Sequence, residues 1–230
     1  MKIVVLDGHT LAADGNSWDT LLPLGTVDVH DRSSPNEVAE RSHGAAVLVT
    51  NKARIPVSVI DASSQLRFIA VSATGHDCVV IAAAGRRGIP VSNVPEFGTD
   101  SVAQLTFALL LELCHHVGRH AEAVRAGEWA RSSDFCFWKS PLVELVGKTM
   151  GVVGFGRIGR RVGEPAHAFG MTVLAHSRSR PAPPAYQLFG FVDLDELFAR
   201  SDVISLLCPL TAETAGLVKR VRLQLVRPDT

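Results

Sequence analysis

Short apolar runs recur along the first hundred residues, each closed by polar or glycine punctuation. Residues 3–6 end at Asp7-Gly8, and residues 26–29, 46–49, 66–71 and 89–91 follow. Short apolar runs bounded by turn residues read as buried strands. Helix signals stand between them. Ser34-Pro35-Asn36-Glu37 reads as a capping box with Pro at the first helical position, Pro56 opens a helix through Ile60, and 79–84 is a third helix, stopped by Gly85 and Gly88. Strands alternating with short helices predict a parallel sheet covered on both faces. The unit shows no self-similarity, so this is not a solenoid.

A longer helix follows. Gly98 precedes Thr99-Asp100-Ser101, good N-cap chemistry, and Val102, Leu105, Leu109, Leu113 and Val117 fall at three- and four-residue spacing. Gly127 is its expected stop. Residues 128–147 are irregular and crowd Trp129, Phe135, Phe137 and Trp138 together; packing of this loop on its own or a neighbouring domain is favoured over a partner surface. A strand over 149–153 then runs into Gly154-Phe155-Gly156-Arg157-Ile158-Gly159, with a helix to Phe169 and a strand over 172–175. A helix over 193–199, a strand over 202–207 and a last helix over 216–226, running to Pro228, complete the pattern. Only three strands are convincing after Gly147.

The G-x-G-x-x-G spacing carries chemistry because it lies between a strand and a helix, with the next strand at βαβ distance. Gly154 permits the tight turn, Gly156 lets backbone approach a pyrophosphate, and Gly159 allows close helix–strand packing. The helix N-terminus adds amide donors and the positive dipole end. A ligand-free glycine turn is the alternative and is disfavoured by this context. At the end of the second strand a carboxylate would accept from a ribose 2′-hydroxyl. His176-Ser177-Arg178-Ser179-Arg180 stands there instead, and its two guanidinium groups suit a 2′-phosphate, which favours NADP over NAD. The other reading makes Arg178 and Arg180 solvated loop charges at a site that accepts either dinucleotide.

Composition narrows the picture further. The chain has 230 residues, of which 47% are apolar and 20% charged, enough apolar material for a core. Lys+Arg and Asp+Glu are each 23, so nothing in the charge calls for nucleic acid or an anionic membrane. No apolar run has membrane-span length, and the N-terminus enters a strand without a signal-peptide pattern. Cys78, Cys114, Cys136 and Cys208 are scattered, as expected of reduced thiols in the cytoplasm. His116 and His120 share a helix face, but nothing nearby completes a metal set, so no metal is expected.

Taken as a set, several further motifs identify a family. They are Thr50-Asn51-Lys52, Ala73-Thr74-Gly75, Gly88-Ile89-Pro90-Val91-Ser92-Asn93-Val94-Pro95 and Gly98-Thr99-Asp100-Ser101-Val102-Ala103-Gln104. Gly127-Glu128-Trp129 with Phe135-Cys136, Gly147-Lys148-Thr149, the Gly154–Gly159 fingerprint, Ala168-Phe169-Gly170-Met171 and Cys208-Pro209-Leu210-Thr211 extend them over the whole chain. The chain resembles the D-isomer-specific 2-hydroxyacid dehydrogenases, within them the glycerate dehydrogenase (hydroxypyruvate reductase) group. The resemblance implies an α/β chain: a flavodoxin-like, parallel-sheet substrate domain over 1–99, then an incomplete Rossmann (doubly wound) NAD(P)-binding domain over 100–230. It implies hydride transfer between a nicotinamide and a small 2-hydroxy or 2-keto acid, glycerate/hydroxypyruvate or glyoxylate. Thr74 and Gly75 match the loop whose amides hold the substrate carboxylate, and Thr74 also matches a cofactor contact. Arg157 and Ile158 match the pyrophosphate contact. Ser177 stands where many relatives carry the ribose-binding Asp, and Cys208 and Pro209 match the stretch passing the adenosine. Relatives are usually homodimers that pair through the long helix after Gly98.

Reduction of a 2-keto acid needs a cation on the carboxylate, a general acid, and a carboxylate to orient that acid. The resemblance places these in an Arg, a His and a Glu downstream of the point matching Arg227-Pro228-Asp229-Thr230, so no catalytic residue is assigned here. It therefore implies a C-terminally truncated, inactive chain, which lacks the return helix of its first domain and has an uncovered apolar sheet edge. His76-Asp77 lies beside the substrate loop, but neighbours on an extended segment face opposite ways. Gly163-Glu164-Pro165 is expected to interrupt the helix after the fingerprint. A non-catalytic NAD(P)-binding or dimerisation module and a non-functional gene fragment are the alternatives.

Overall fold

The computed structural model describes residues 1–11 and 17–227, so the expected helix end at Pro228 and the matching point at Asp229 and Thr230 lie outside the described residues. The chain folds as two units, Met1–Phe97 and from Gly98 onward.

In the first unit five strands form one parallel sheet: β1 Lys2–Val5, β2 Thr26–Val29, β3 Val47–Thr50, β4 Phe68–Val71 and β5 Val91–Ser92. Their order, β2-β1-β3-β4-β5, is flavodoxin-like. Alternation along β1 splits the core. Val4 and Leu6 join Leu48, Ile69 and Val71 beneath α1 (Pro35–Arg41), α2 (Val57–Ala62) and α3 (Ile81–Arg86), whose Val38, Val59, Ile60 and Ala83 complete that layer. Ile3 and Val5 face the other way, onto Trp18, Leu21 and Val27. The capping box forms: Glu37 accepts the N–H (2.8 Å) and the hydroxyl (2.7 Å) of Ser34. These bonds hold the Glu37 carboxyl below its ordinary pKa. Gly85 does not stop α3 as expected; it lies within the helix, and Gly88 takes the left-handed conformation (φ +63°) beyond it.

At the carboxyl end of β1, between β1 and β3 where the strand order reverses, Asp7 fills the crevice. Its carboxylate accepts the backbone N–H groups of Asn51 (2.7 Å) and Ala53 (2.7 Å), together with that of Lys52. Three amides at the switch point of this unit are thus taken up by the protein's own carboxylate.

The second unit opens on α4 (Thr99–His115) and α5 (Val117–Arg125), followed by a four-stranded parallel sheet. Its strands are β6 Thr149–Val153, β7 Thr172–His176, β8 Phe189–Phe191 and β9 Val203–Leu206, with α6 (Arg157–Ala168) after β6 and α7 (Leu194–Arg200) before β9. The order β8-β7-β6-β9 reproduces four strands of the Rossmann arrangement. β8 was not expected from the pattern: Phe189-Gly190-Phe191 is short and split by glycine, and pairing with Val173, Leu174 and Ala175 makes it a strand.

Five further expectations are corrected. The cap of α4 is Gly98, with no side-chain bond from Thr99, Asp100 or Ser101 to the helix end. The helix also breaks at His116, in the left-handed region at φ 47° and ψ 47°, instead of running to Gly127. The periodic Val102, Leu105, Leu109 and Leu113 are exposed, while Ala103, Phe107, Leu110 and Cys114 form the buried face. Pro165 does not interrupt α6. Val162 and Ala166 are fully buried against the sheet, and Phe107 of α4 stacks on Phe169 at 5.7 Å, so packing on both sides outweighs the missing amide. The last helix shrinks to α8, Arg220–Leu223, because Gly216 (φ +66°) and the turns around it hold the preceding chain out of helix. In the loop after α5, the Trp129 and Phe137 rings lie 6.1 Å apart, yet Trp129, Phe135 and Trp138 are all exposed.

Candidate functional site

The fingerprint sits where β6 hands over to α6, at the carboxyl edge of the second sheet. Gly154 is in the left-handed region (φ +99°) and donates its N–H to the carbonyl of His176 (2.7 Å), which ties the turn to the end of β7. Its other side faces the end of β9: a Cβ there would lie 2.6 Å from the backbone nitrogen of Cys208. Gly159 is buried because α6 packs directly on this turn, and a Cβ would come within 2.2 Å of the Gly154 carbonyl oxygen. Phe155, between the glycines, points inward and packs with Phe189 (4.9 Å) and Phe191 (5.7 Å). Arg160 lies 5.5 Å over the Phe155 ring and donates to the carbonyl of Ala182 (2.7 Å), pinning the start of α6.

Gly156 differs from its two partners. It caps α6 at φ −83° and ψ −156°, and a Cβ there would meet nothing within 4 Å. The chain itself gives no reason for glycine at this position. The space above it is open, beside the first turn of a twelve-residue helix whose Arg157, Ile158 and Gly159 amides project past the N-terminus. These residues fit a pyrophosphate: bare backbone, outward N–H groups and a positive dipole end converge there.

The flanking loops complete the edge. Ser177 is half-buried just past β7, and Arg178 and Arg180 are exposed. No carboxylate lies within 177–180, but two arrive from other loops: Glu213 Oε2 stands 3.7 Å from Arg178 Nη1, and Asp193 Oδ1 stands 3.9 Å from Arg180 Nη2. Sequence reading missed both, and the only local signal was the Thr211-x-x-Thr214 spacing that folds the loop carrying Glu213. Leu207 continues the ladder by donating to the Val153 carbonyl (2.8 Å), and Cys208-Pro209 follow beside Gly154. Gly154–Gly159, Ser177–Arg180 and Cys208-Pro209 therefore meet along one sheet edge.

Thr74 and Gly75 belong to the first unit, at the carboxyl end of β4. Thr74 Oγ1 donates to the Val94 carbonyl (2.9 Å), and Asn93 Nδ2 donates to the Thr74 carbonyl (2.8 Å). Val94 N–H closes the clamp on the Ala73 carbonyl (3.0 Å). Residues 74–77, including His76 and Asp77, are exposed. Among the described residues no group of three or more His, Cys, Asp or Glu is placed to hold a metal ion, and no helix is long and apolar enough to cross a membrane.

Residues 107–230 match the family model described as "D-isomer specific 2-hydroxyacid dehydrogenase, NAD binding domain". A hydroxypyruvate reductase of Blautia hydrogenotrophica is 45% identical over 223 residues, covering 96% of this chain and 69% of that relative. Among solved structures, the TT0316 protein from Thermus thermophilus superposes with TM-score 0.82 at 34% identity, covering 99% of this chain and 71% of that one. The acyclic imino acid reductase Bsp5, solved in complex with NADPH and D-Arg, superposes with TM-score 0.81 at 27% identity over 99% and 72% of the two chains.

Proposed function

The chain belongs to the D-isomer-specific 2-hydroxyacid dehydrogenase family, and on that premise we propose that it serves hydride transfer between a nicotinamide dinucleotide and a small 2-hydroxy or 2-keto acid, glycerate/hydroxypyruvate or glyoxylate. The observation that carries the cofactor part is Gly156: a glycine required by nothing in the chain, under open space at a helix N-terminus. Gly154, Gly156, Arg157, Ile158 and Gly159 would hold the pyrophosphate, Ser177 the ribose, and Cys208 and Pro209 the adenosine side. Arg178 and Arg180 would favour the dinucleotide with a 2′-phosphate, a preference opposed by the carboxylates of Glu213 and Asp193 beside them. The bound dinucleotide supplies or takes up the hydride.

Thr74 and Gly75 would receive the substrate carboxylate on backbone N–H groups, in a loop already fixed by Asn93 and Val94. That loop brings no arginine of its own: residues 70–85 contain none. His76 is the one histidine within residues 70–85, and both it and its neighbour Asp77 are exposed. The described residues thus supply a dinucleotide cradle in the second unit and a carboxylate loop in the first, and within that loop no imidazole–carboxylate pair is joined. This stretch is accordingly expected to bind dinucleotide with little or no turnover. Pairing of two copies through α4 is supported by its exposed Leu105, Leu109 and Leu113. The free thiols fit a reducing, cytoplasmic compartment.

Two measurements test the reading. Titration of the purified chain with NADH and NADPH is expected to saturate, and failure by a folded sample would sink the cofactor assignment. A nicotinamide absorbance assay with hydroxypyruvate is expected to stay near baseline; sustained turnover would refute the expected inactivity.

A further inference from the structure

We propose that Glu213 sets how the chain ranks dinucleotides with and without a 2′-phosphate, acting through Arg178. The proposal rests on the cofactor reading above and sharpens it. Taken alone, loop 177–180 holds two guanidinium groups and no competing anion. The fold changes that by bringing Glu213 to 3.7 Å from Arg178, from the loop after β9.

The loop around Glu213 is folded by hydrogen bonds of its neighbours. Thr214 Oγ1 donates to the Pro209 carbonyl (2.6 Å) and accepts the Thr211 N–H (2.7 Å), while Ala215 N–H donates to the Thr211 carbonyl (2.8 Å). The same loop begins at Cys208, whose nitrogen would stand 2.6 Å from any Cβ on Gly154. The loop that carries Glu213 is therefore anchored to the edge that carries the pyrophosphate turn.

Its charge has a direct consequence. A 2′-hydroxyl brings no charge and leaves the Arg178–Glu213 pair intact. A 2′-phosphate brings close to two negative charges at neutral pH and must share Arg178 with a carboxylate that repels it. Glu213 occupies, in protein form, the electrostatic role the phosphate would take. Arg178 and Glu213 are 89% and 75% exposed, so screening by water limits the effect to about fivefold in affinity.

The test is equilibrium titration of the purified 230-residue chain with NADH and with NADPH at low ionic strength, read by tryptophan fluorescence. Wild type, Glu213→Gln, Glu213→Ser, Arg178→Gln and the Arg178→Gln/Glu213→Gln double variant are compared after each is shown to melt cooperatively. Removing the Glu213 charge is expected to tighten NADPH about fivefold and to move NADH less than twofold. The gain is expected to fade at high salt and to vanish without Arg178. An equal change for both dinucleotides, an unchanged NADPH affinity, or a gain that persists without Arg178 would overturn the proposal while leaving the cofactor site standing. Failure of folded wild type to bind either dinucleotide would overturn the cofactor reading and this proposal with it.

Discussion

A β-carbon on Gly154 would stand 2.6 Å from the backbone nitrogen of Cys208, whereas one on Gly156 would touch nothing within 4 Å. The first and second glycines of one motif therefore answer to different demands, one internal and one external.

Gly154→Ala and Gly156→Ala are expected to separate these demands. The first sets a side chain at φ +99° against immovable backbone, so stability should fall by at least about 1–2 kcal/mol. The second should fold with stability within about 1 kcal/mol of wild type, the usual scale of a helix-cap change. It should nonetheless lose dinucleotide affinity by roughly tenfold or more, equal to about 1.4 kcal/mol. Thermal melts paired with NADH titration check both; full affinity in Gly156→Ala would remove the main support for the cradle.

Tyr186 is the sole tyrosine and stacks on His167 at 4.8 Å, its hydroxyl buried without a partner among the described residues. That hydroxyl also crowds Gly163, where a Cβ would come within 2.2 Å, so a side chain there would have to displace the Tyr186 ring. Burial pushes its pKa up to about 12. A raised folded pKa means its contribution is intact below the ordinary value near 10 and is lost as pH rises towards 12. Tyr186→Phe is expected to remove that part of the alkaline loss and to be neutral or slightly stabilising at pH 7. Denaturant melts across this range test it, and the phenolate absorbance of the wild type reads the titration directly.

His116 adopts φ 47° between α4 and α5, a conformation that costs an L-residue roughly 1 kcal/mol relative to glycine. His116→Gly is expected to raise the denaturant midpoint by a corresponding amount. A lower midpoint would mean that the imidazole contributes more than its backbone costs.

Leu105 and Leu109 are 58% and 59% exposed on α4, so a charge at either costs the isolated fold little. Leu105→Glu with Leu109→Glu is expected to shift the chain from dimer to monomer in light scattering, with the far-UV spectrum unchanged. A wild type that is monomeric at high concentration would exclude pairing through this face.

Local sequence determined what local hydrogen bonding and steric freedom decide. The strand runs, the Ser34–Glu37 capping box and the G-x-G-x-x-G turn are all legible because each is complete within a few neighbouring residues. Tertiary structure decided what depends on a distant partner. Both apolar stripes of α4 have helical spacing, so periodicity alone does not say that Phe107 and Leu110 are buried while Leu105 and Leu109 face out; packing of α4 on α6 chooses. α6 runs through Pro165 because neighbours on both sides hold it, and 189–191 becomes a strand only when β7 pairs with it. Glu213 meets Arg178 across thirty-five residues of chain, a proximity set by parallel strands ending at one edge, which no pattern of neighbouring residues encodes.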